Sequence, residues 1–182
     1  MRIIVGLGNP GEQYKNTRHN IGWLALDNFL GEVKWLENKK FNALVFEQDD
    51  ILFIKPLTFM NNSGQTVQKV LNYYKLIPKN FGILNKKDAD LTNVLVVIHD
   101  DLDLNFTDFK MATDSGSAGH RGIQSIIDYL KTKKFTRVRL GIRNELVKIH
   151  IPPEKFVTQP FSQEEKLRLK DIFSKININK LK

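Results

Sequence analysis

The chain has 182 residues, enough for a single domain with a substantial core, and 41% of them are hydrophobic, which excludes a disordered polymer. It contains no cysteine, which excludes a disulfide framework, a thiolate metal site and a thiol nucleophile, and fits a cytoplasmic protein. The net charge of +8 suits a polyanionic partner, while no apolar run approaches membrane-spanning length and nothing reads as a signal peptide or anchor.

The first predicted element is a strand over residues 2–7, carried by Ile3-Ile4-Val5. It runs into Gly6-Leu7-Gly8-Asn9-Pro10-Gly11. A strand followed by G-x-G-x-x-G is the dinucleotide-binding fingerprint, which needs a helix starting within the glycines so that its N-terminus meets the pyrophosphate. Here Pro10 fixes φ and removes an N–H, and helical periodicity begins only at Ile21, with Trp23, Leu24, Leu26, Phe29 and Leu30. The loop is too long to cradle a phosphate, and the acid near the required distance, Glu32, falls at a helix end. A turn merely shaped by its glycines is the other plain reading.

Helix 20–31 is followed by strands 43–47 and 51–54, with Asp49-Asp50 as their hairpin turn. A helix over 63–74 carries the stripe Val67, Val70, Leu71 and Tyr74. Residues 77–92 are polar and read as a surface excursion. Strands at 94–99 and 106–111, a helix at 119–130 and a strand at 136–142 come next. Residues 151–159, with Pro152 and Pro153, read as a connecting loop. The last helix, 162–175, opens on the capping-box pattern Ser162-Gln163-Glu164-Glu165, and its expected core residues are Leu167, Leu169, Ile172, Phe173 and Ile176. Alternating strands and helices predict one α/β domain over residues 1–182, with a twisted mixed, largely parallel central sheet and helices on both faces.

Charge concentrates in residues 131–143, KTKKFTRVRLGIR, which hold six cations and no acid. Arg137, Arg139 and Arg143 share one face of the predicted strand, and Val138, Leu140 and Ile142 the other. Such a face suits phosphate contacts or simply faces solvent.

Three polar clusters follow predicted strands: Asn9, then Phe59-Met60-Asn61-Asn62-Ser63-Gly64, then Asp100-Asp101-Leu102-Asp103. If the strands are parallel, these clusters meet at the carboxyl ends, where open α/β sheets bind ligands, with His19 close by. Asn9 could merely build a turn, Asn61 and Asn62 could cap a helix, the aspartates could hold a divalent cation, and His19 could be a surface imidazole. Together, a histidine, a strand-end aspartate and two asparagines read as a hydrolytic site in which the imidazole takes a proton from water. A buried aspartate would orient it and asparagine amides would hold water or oxyanion. No serine or cysteine stands in a nucleophile motif, so direct attack by water is favoured.

The motifs GLGNPG, TRHNIG, KPLTFMNNSG, VVIHDDLDL, GSAGHRGIQSI and FTRVRLGI, in register over nearly the whole chain, resemble those of the bacterial-type peptidyl-tRNA hydrolases. The resemblance implies cleavage of the ester between a peptide and the terminal ribose of tRNA, without metal or cofactor, by a cytoplasmic monomer with no obligate protein partner. It implies His19 as catalytic base and Asp100 as its partner, with Asn9, Tyr14, Met60 and Asn61 at the substrate. Lys110, Arg137 and Arg139 would meet tRNA phosphates. The chain departs from the family at Arg121, where Asn usually follows the glycine-histidine pair, at Ala112, where a second basic residue is usual, and at Arg143-Asn144-Glu145, where Gly and Pro are usual. Residues 77–92 also look longer than in the family. Arg121 becomes an added candidate for substrate binding.

Overall fold

Residues 1–80, 84–144 and 151–176 are described by a computed structural model. In chain order the elements are β1 (Arg2–Gly6), α1 (Ile21–Leu30), β2 (Leu36–Asn38), β3 (Ala43–Gln48), β4 (Ile51–Pro56), α2 (Ser63–Tyr73), β5 (Lys79–Asn80), β6 (Leu84–Asn85), β7 (Leu95–Asn105), β8 (Phe109–Ala112), α3 (Arg121–Leu130), β9 (Thr136–Arg143), α4 (Pro153–Val157) and α5 (Gln163–Lys175). Seven strands form one sheet in the order β2-β3-β4-β1-β7-β9-β8, and β5 pairs with β6 separately.

The central strands β4, β1, β7 and β9 are mutually parallel, and β2, β3 and β8 add antiparallel edges. Ile3, Ile4 and Val5 are all fully buried because β1 lies in mid-sheet with both faces covered. Ile3 and Val5 pack with α2 and α3 through Val67, Leu71, Ile123 and Ile126. Ile4 packs on the opposite face with Ile21 and Leu26 of α1, Phe156 of α4 and Ile172 of α5. The predicted mixed α/β sheet with helices on both faces is therefore what forms. At the β3–β4 hairpin, Asp49 and Asp50 take φ of 51° and 61°, the left-handed pair that a tight two-residue turn needs. None of the described helices is long and apolar enough to cross a membrane.

Three expectations change. Residues 151–159 contain α4, started by Pro153 at its first position, where the missing N–H is no loss. Residues 77–92 are only partly a surface excursion: Ile77, Ala89 and Leu91 are buried, and Thr132 Oγ1 donates to the Ala89 carbonyl. Leu167 is 72% exposed, since it lies about 200° around the helix from Leu169, which is buried with Ile172 and Phe173. Arg143 is exposed and donates to Asn105 Oδ1, while Glu145 lies outside the described residues.

Two of the opening glycines serve packing, since a Cβ at Gly6 would strike the Gly22 carbonyl and one at Gly8 would lie 2.7 Å from the Trp23 ring. After β1 the chain makes 3-10 turns at Glu12–Tyr14 and Arg18–Asn20 before α1 begins at Ile21, so no helix starts among the glycines. Instead α1 crosses the sheet backbone at Gly22. A Cβ there would strike the Ile98 carbonyl oxygen and lie 2.6 Å from the Leu7 nitrogen. Alanine in an open helix would gain about 1 kcal/mol over glycine. Here overpacking against two strands should reverse the sign, and Gly22→Ala is expected to lose about 1–3 kcal/mol. Urea unfolding would show this as a lower midpoint with an unchanged slope; an equal or higher midpoint would contradict the close approach.

Candidate active site

Between β4 and β7 the chain passes from one side of β1 to the other, so the carboxyl ends of β1 and β7 flank a topological switch point. A cleft of about 850 Å³ opens there. Asn9, His19, Met60, Asn61, Asp100 and Arg121 all line it, together with Phe59, Gly119 and His120. Leu102 and Asp103 lie on the β7 side, and Pro153, Glu154, Val157 and Thr158 form a further wall. Tyr14, Lys110, Arg137 and Arg139 are not in the lining. Tyr14 instead meets the rim residue Phe59 edge to face, with centroids 6.4 Å apart.

Asp100 organises the floor. Its carboxylate is 2% exposed, and its Oδ1 receives both His19 Nδ1 at 2.8 Å and His120 Nε2 at 2.9 Å. Burial alone would raise the carboxyl's pKa, but the two histidines and their hydrogen bonds hold it well below the usual carboxylate range. An ionised carboxylate only accepts, so both nitrogens facing it carry protons.

The tautomer of His120 follows independently. His120 caps α3, and its Nδ1 accepts from the backbone N–H groups of Gly122 and Ile123 at 3.1 and 3.2 Å. Nδ1 is therefore the bare nitrogen, and Nε2–H points at Asp100. His19 is bonded through Nδ1, which leaves Nε2 as its nitrogen available to the cleft. The rings of His19 and His120 lie 5.0 Å apart. His99 is a third, buried imidazole, pushed down to about 3 by burial and by His120; its Nδ1–H donates to the Asp100 carbonyl at 2.7 Å.

Asn9 is clamped at both ends. Its N–H donates to Asn20 Oδ1 at 2.9 Å and its carbonyl accepts from Asn20 Nδ2 at 3.0 Å. Its Oδ1 accepts the Met60 N–H at 2.8 Å, which ties the first loop to the one after β4. The Asn9 Nδ2 donor has no partner among the described residues and belongs to the cleft lining. Met60 is buried, while Asn61 is exposed on the cleft wall.

Two residues missed in the sequence, Asn20 and His120, hold the named ones in place. His120 had a local signal: imidazole stands at a helix N-cap, where a short oxygen side chain is usual. Asn20 had none, because its partners lie on a loop that only the fold brings near.

The cationic face needs correction. Arg137 does share its face of β9 with Arg139, but it is 2% exposed. Its guanidinium donates to the Gly116 carbonyl at 2.7 Å and to the Ser115 carbonyl, and it lies over the Phe135 ring. The loop before α3 covers this arginine, so it clamps the segment leading to His120 and presents no charge to a phosphate. Arg139 is bound through Nε to Asp101, whose hydrogen bond raises the guanidinium's pKa. Lys110 is exposed on β8, opposite Arg139 in register, and Arg121 is exposed at the start of α3.

The three aspartates do not cluster. Asp100 turns to the histidines, Asp101 to Arg139, and Asp103 is 74% exposed. His19, Asp100 and His120 do place three ligand atoms within 4.8 Å of one another, which could hold a metal ion. Such an ion would have to displace two hydrogen bonds and break the capping role of His120.

The family model for peptidyl-tRNA hydrolase matches residues 3–179. The peptidyl-tRNA hydrolase of Mycoplasma capricolum is 42% identical over 179 residues, covering 96% of this chain and 88% of that one. That of Fusobacterium nucleatum is 39% identical over 182 residues, covering 97% and 86%. The crystal structure of peptidyl-tRNA hydrolase from Acinetobacter baumannii superposes with a TM-score of 0.74 at 27% identity, covering 94% of this chain and 81% of that one. With the match running almost end to end, this chain belongs to the peptidyl-tRNA hydrolase family.

Proposed function

We propose that this chain hydrolyses the ester joining a peptide, or an N-blocked aminoacyl group, to the terminal ribose of tRNA, with His19 as general base. The observation that carries the reading is the double hydrogen bond to Asp100 Oδ1, which occupies His19 Nδ1 and leaves Nε2 as the nitrogen available to a cleft lined by amides. Water between His19 Nε2 and the ester loses a proton to the imidazole as its oxygen attacks the carbonyl carbon. Asp100 stabilises the imidazolium through Nδ1–H. The Nδ2 groups of Asn9 and Asn61 are suited to donate to the water or the developing oxyanion. Collapse of the tetrahedral intermediate breaks the bond to the ribose oxygen, which takes the proton back from His19. Peptide carboxylate and tRNA leave.

Met60 lines the cleft beneath the reacting group, and Tyr14 acts from behind Phe59 at the rim. Phosphate contact falls to Lys110 and Arg121, with Arg139 available only in part because Asp101 holds it. The proposed state is a monomer without an obligate protein partner. The proposed setting is the cytoplasm, and the mechanism calls on no metal or cofactor. A non-catalytic RNA-binding relative would share the fold, but the paired His19 and Asp100 favour catalysis.

His19→Ala is expected to lose about 10²–10⁴-fold in kcat for N-acetyl-aminoacyl-tRNA. Binding of deacylated tRNA should stay within about threefold, because phosphate contacts lie elsewhere. Asp100→Asn should also fall, since an amide cannot stabilise the imidazolium as a carboxylate does. Activity of His19→Ala within about tenfold of the parent would remove His19 from the mechanism.

Arg121 starts a helix, where the dipole disfavours a cation that has no anionic partner. A phosphate near the acceptor end of tRNA would supply one. Arg121→Ala should weaken tRNA binding and reduce the salt slope of log K by about one, with a smaller change in kcat. An equal slope in the two proteins would make Arg121 a solvent-facing residue.

A further inference from the structure

Arg18 directly precedes His19 in the same 3-10 turn and is 2% exposed. Its Nη2 faces both carboxylate oxygens of Glu165, at 2.7 and 2.8 Å. Its Nη1 donates to the carbonyls of Pro160 and Gln159 at 2.8 and 3.3 Å. The guanidinium carbon lies 4.5 Å from the Phe156 ring centroid and 5.3 Å from that of Phe161. The main chain follows the same path. Arg18 N–H donates to the Gln159 carbonyl, Phe161 N–H donates to the Asn16 carbonyl, and Thr17 bridges Pro160.

Glu165 has further duties. Its Oε2 accepts the Ser162 N–H at 2.8 Å and its own N–H donates to Ser162 Oγ, which completes the capping box of α5. Its Oε1 also accepts from Asn144 Nδ2, just after β9. The segment thus gripped runs on directly from α4, whose Pro153, Glu154 and Val157, with Thr158, form one wall of the cleft. One buried ion pair therefore joins the turn that carries His19 to the C-terminal wall of the same cleft.

Stability alone is a weak reason for such a pair. Removing both charges from water costs about as much as the pairing returns, and apolar replacements are often neutral. The planar guanidinium, with Nη2 on both Glu165 oxygens and Nη1 on the carbonyls of Gln159 and Pro160, fixes direction as well as distance. We infer that the Arg18–Glu165 pair is a positioning device for hydrolysis, setting the His19 turn against the C-terminal wall. This rests on the reading of His19 as the base. Arg18 and Glu165 touch no substrate; they act through His19 and α4.

The test combines Arg18→Met/Glu165→Gln, which removes the pair but keeps an acceptor for the Ser162 N–H, with Arg18→Lys, which keeps the charge but offers one nitrogen in place of the guanidinium's two. The double variant should melt near the parent protein, since burial of the charges is no longer needed. Its kcat on N-acetyl-aminoacyl-tRNA should fall by about tenfold or more per folded molecule. KM and the Kd for deacylated tRNA should hold within about twofold, and Arg18→Lys should recover part of the lost kcat. Unchanged kcat, or a loss confined to KM, overturns the proposal. If the double variant does not fold, Arg18→Lys decides: kcat equal to the parent overturns it, and a fall in kcat at constant KM supports it. An active His19→Ala protein would defeat the underlying reading and this proposal with it. An inactive His19→Ala beside a fully active double variant defeats the proposal alone.

Discussion

A single carboxylate oxygen receiving two imidazole N–H groups is the contact from which the rest of the site follows. Asp100 is buried at the end of the parallel part of β7, where desolvation works against its charge. Two donors offset that cost, and each donor is itself held by a different element. His19 arrives on the turn before α1, and His120 arrives as the cap of α3. The carboxylate therefore requires α1 and α3, which lie on opposite faces of the sheet, to meet correctly at its end. In return the helices orient the imidazoles. His120 has no freedom of tautomer while it caps α3, and this makes it a fixed neutral donor. Of the two imidazoles on Asp100, only His19 then has its second ring nitrogen, Nε2, available to the cleft.

Around this centre the large cations divide by burial. Arg18 and Arg137 are both 2% exposed and both are used up internally, one on Glu165 and one on the carbonyls of Ser115 and Gly116. Each braces a different side of the cleft. Arg18 braces the His19 turn and the wall from α4, and Arg137 braces the loop that leads into α3. The net charge of +8 is thus not all available to a polyanion. On the proposed function, exposed groups such as Lys110 and Arg121 would carry the electrostatic share of tRNA binding, and a salt-dependent affinity would report on them rather than on the buried pair.

Much of this was legible in the sequence because it is local. The strand Ile3-Ile4-Val5, the stripe Val67-Val70-Leu71 and the capping box at Ser162 and Glu165 depend on neighbours within a few residues, and they form as read. The convergence of Asn9, His19, Asn61 and Asp100 followed from one further rule, that ligand sites gather at the carboxyl ends of parallel strands. What failed depended on contacts distant in sequence. Alternation placed Arg137 on the correct face of β9, but it could not say that the loop at residues 113–119 folds over that face. Leu167 is apolar like the core residues of its helix, but it lies out of phase with Leu169 and Ile172 and faces solvent. The role of His120 needed both its cap contacts and its reach to Asp100, 20 residues away.

The protonation pattern at Asp100 is the central claim, and ¹⁵N NMR of histidine-labelled protein tests it most directly. At a pH where the ring is neutral, His19 should show a protonated Nδ1 and a bare Nε2, while His120 shows the reverse, each assigned with its His→Gln variant. Both exchangeable protons should be hydrogen-bonded and lost together in Asp100→Asn. A neutral His19 carrying its proton on Nε2, or a His120 protonated on Nδ1, would contradict the account, because the cleft would then hold no poised base.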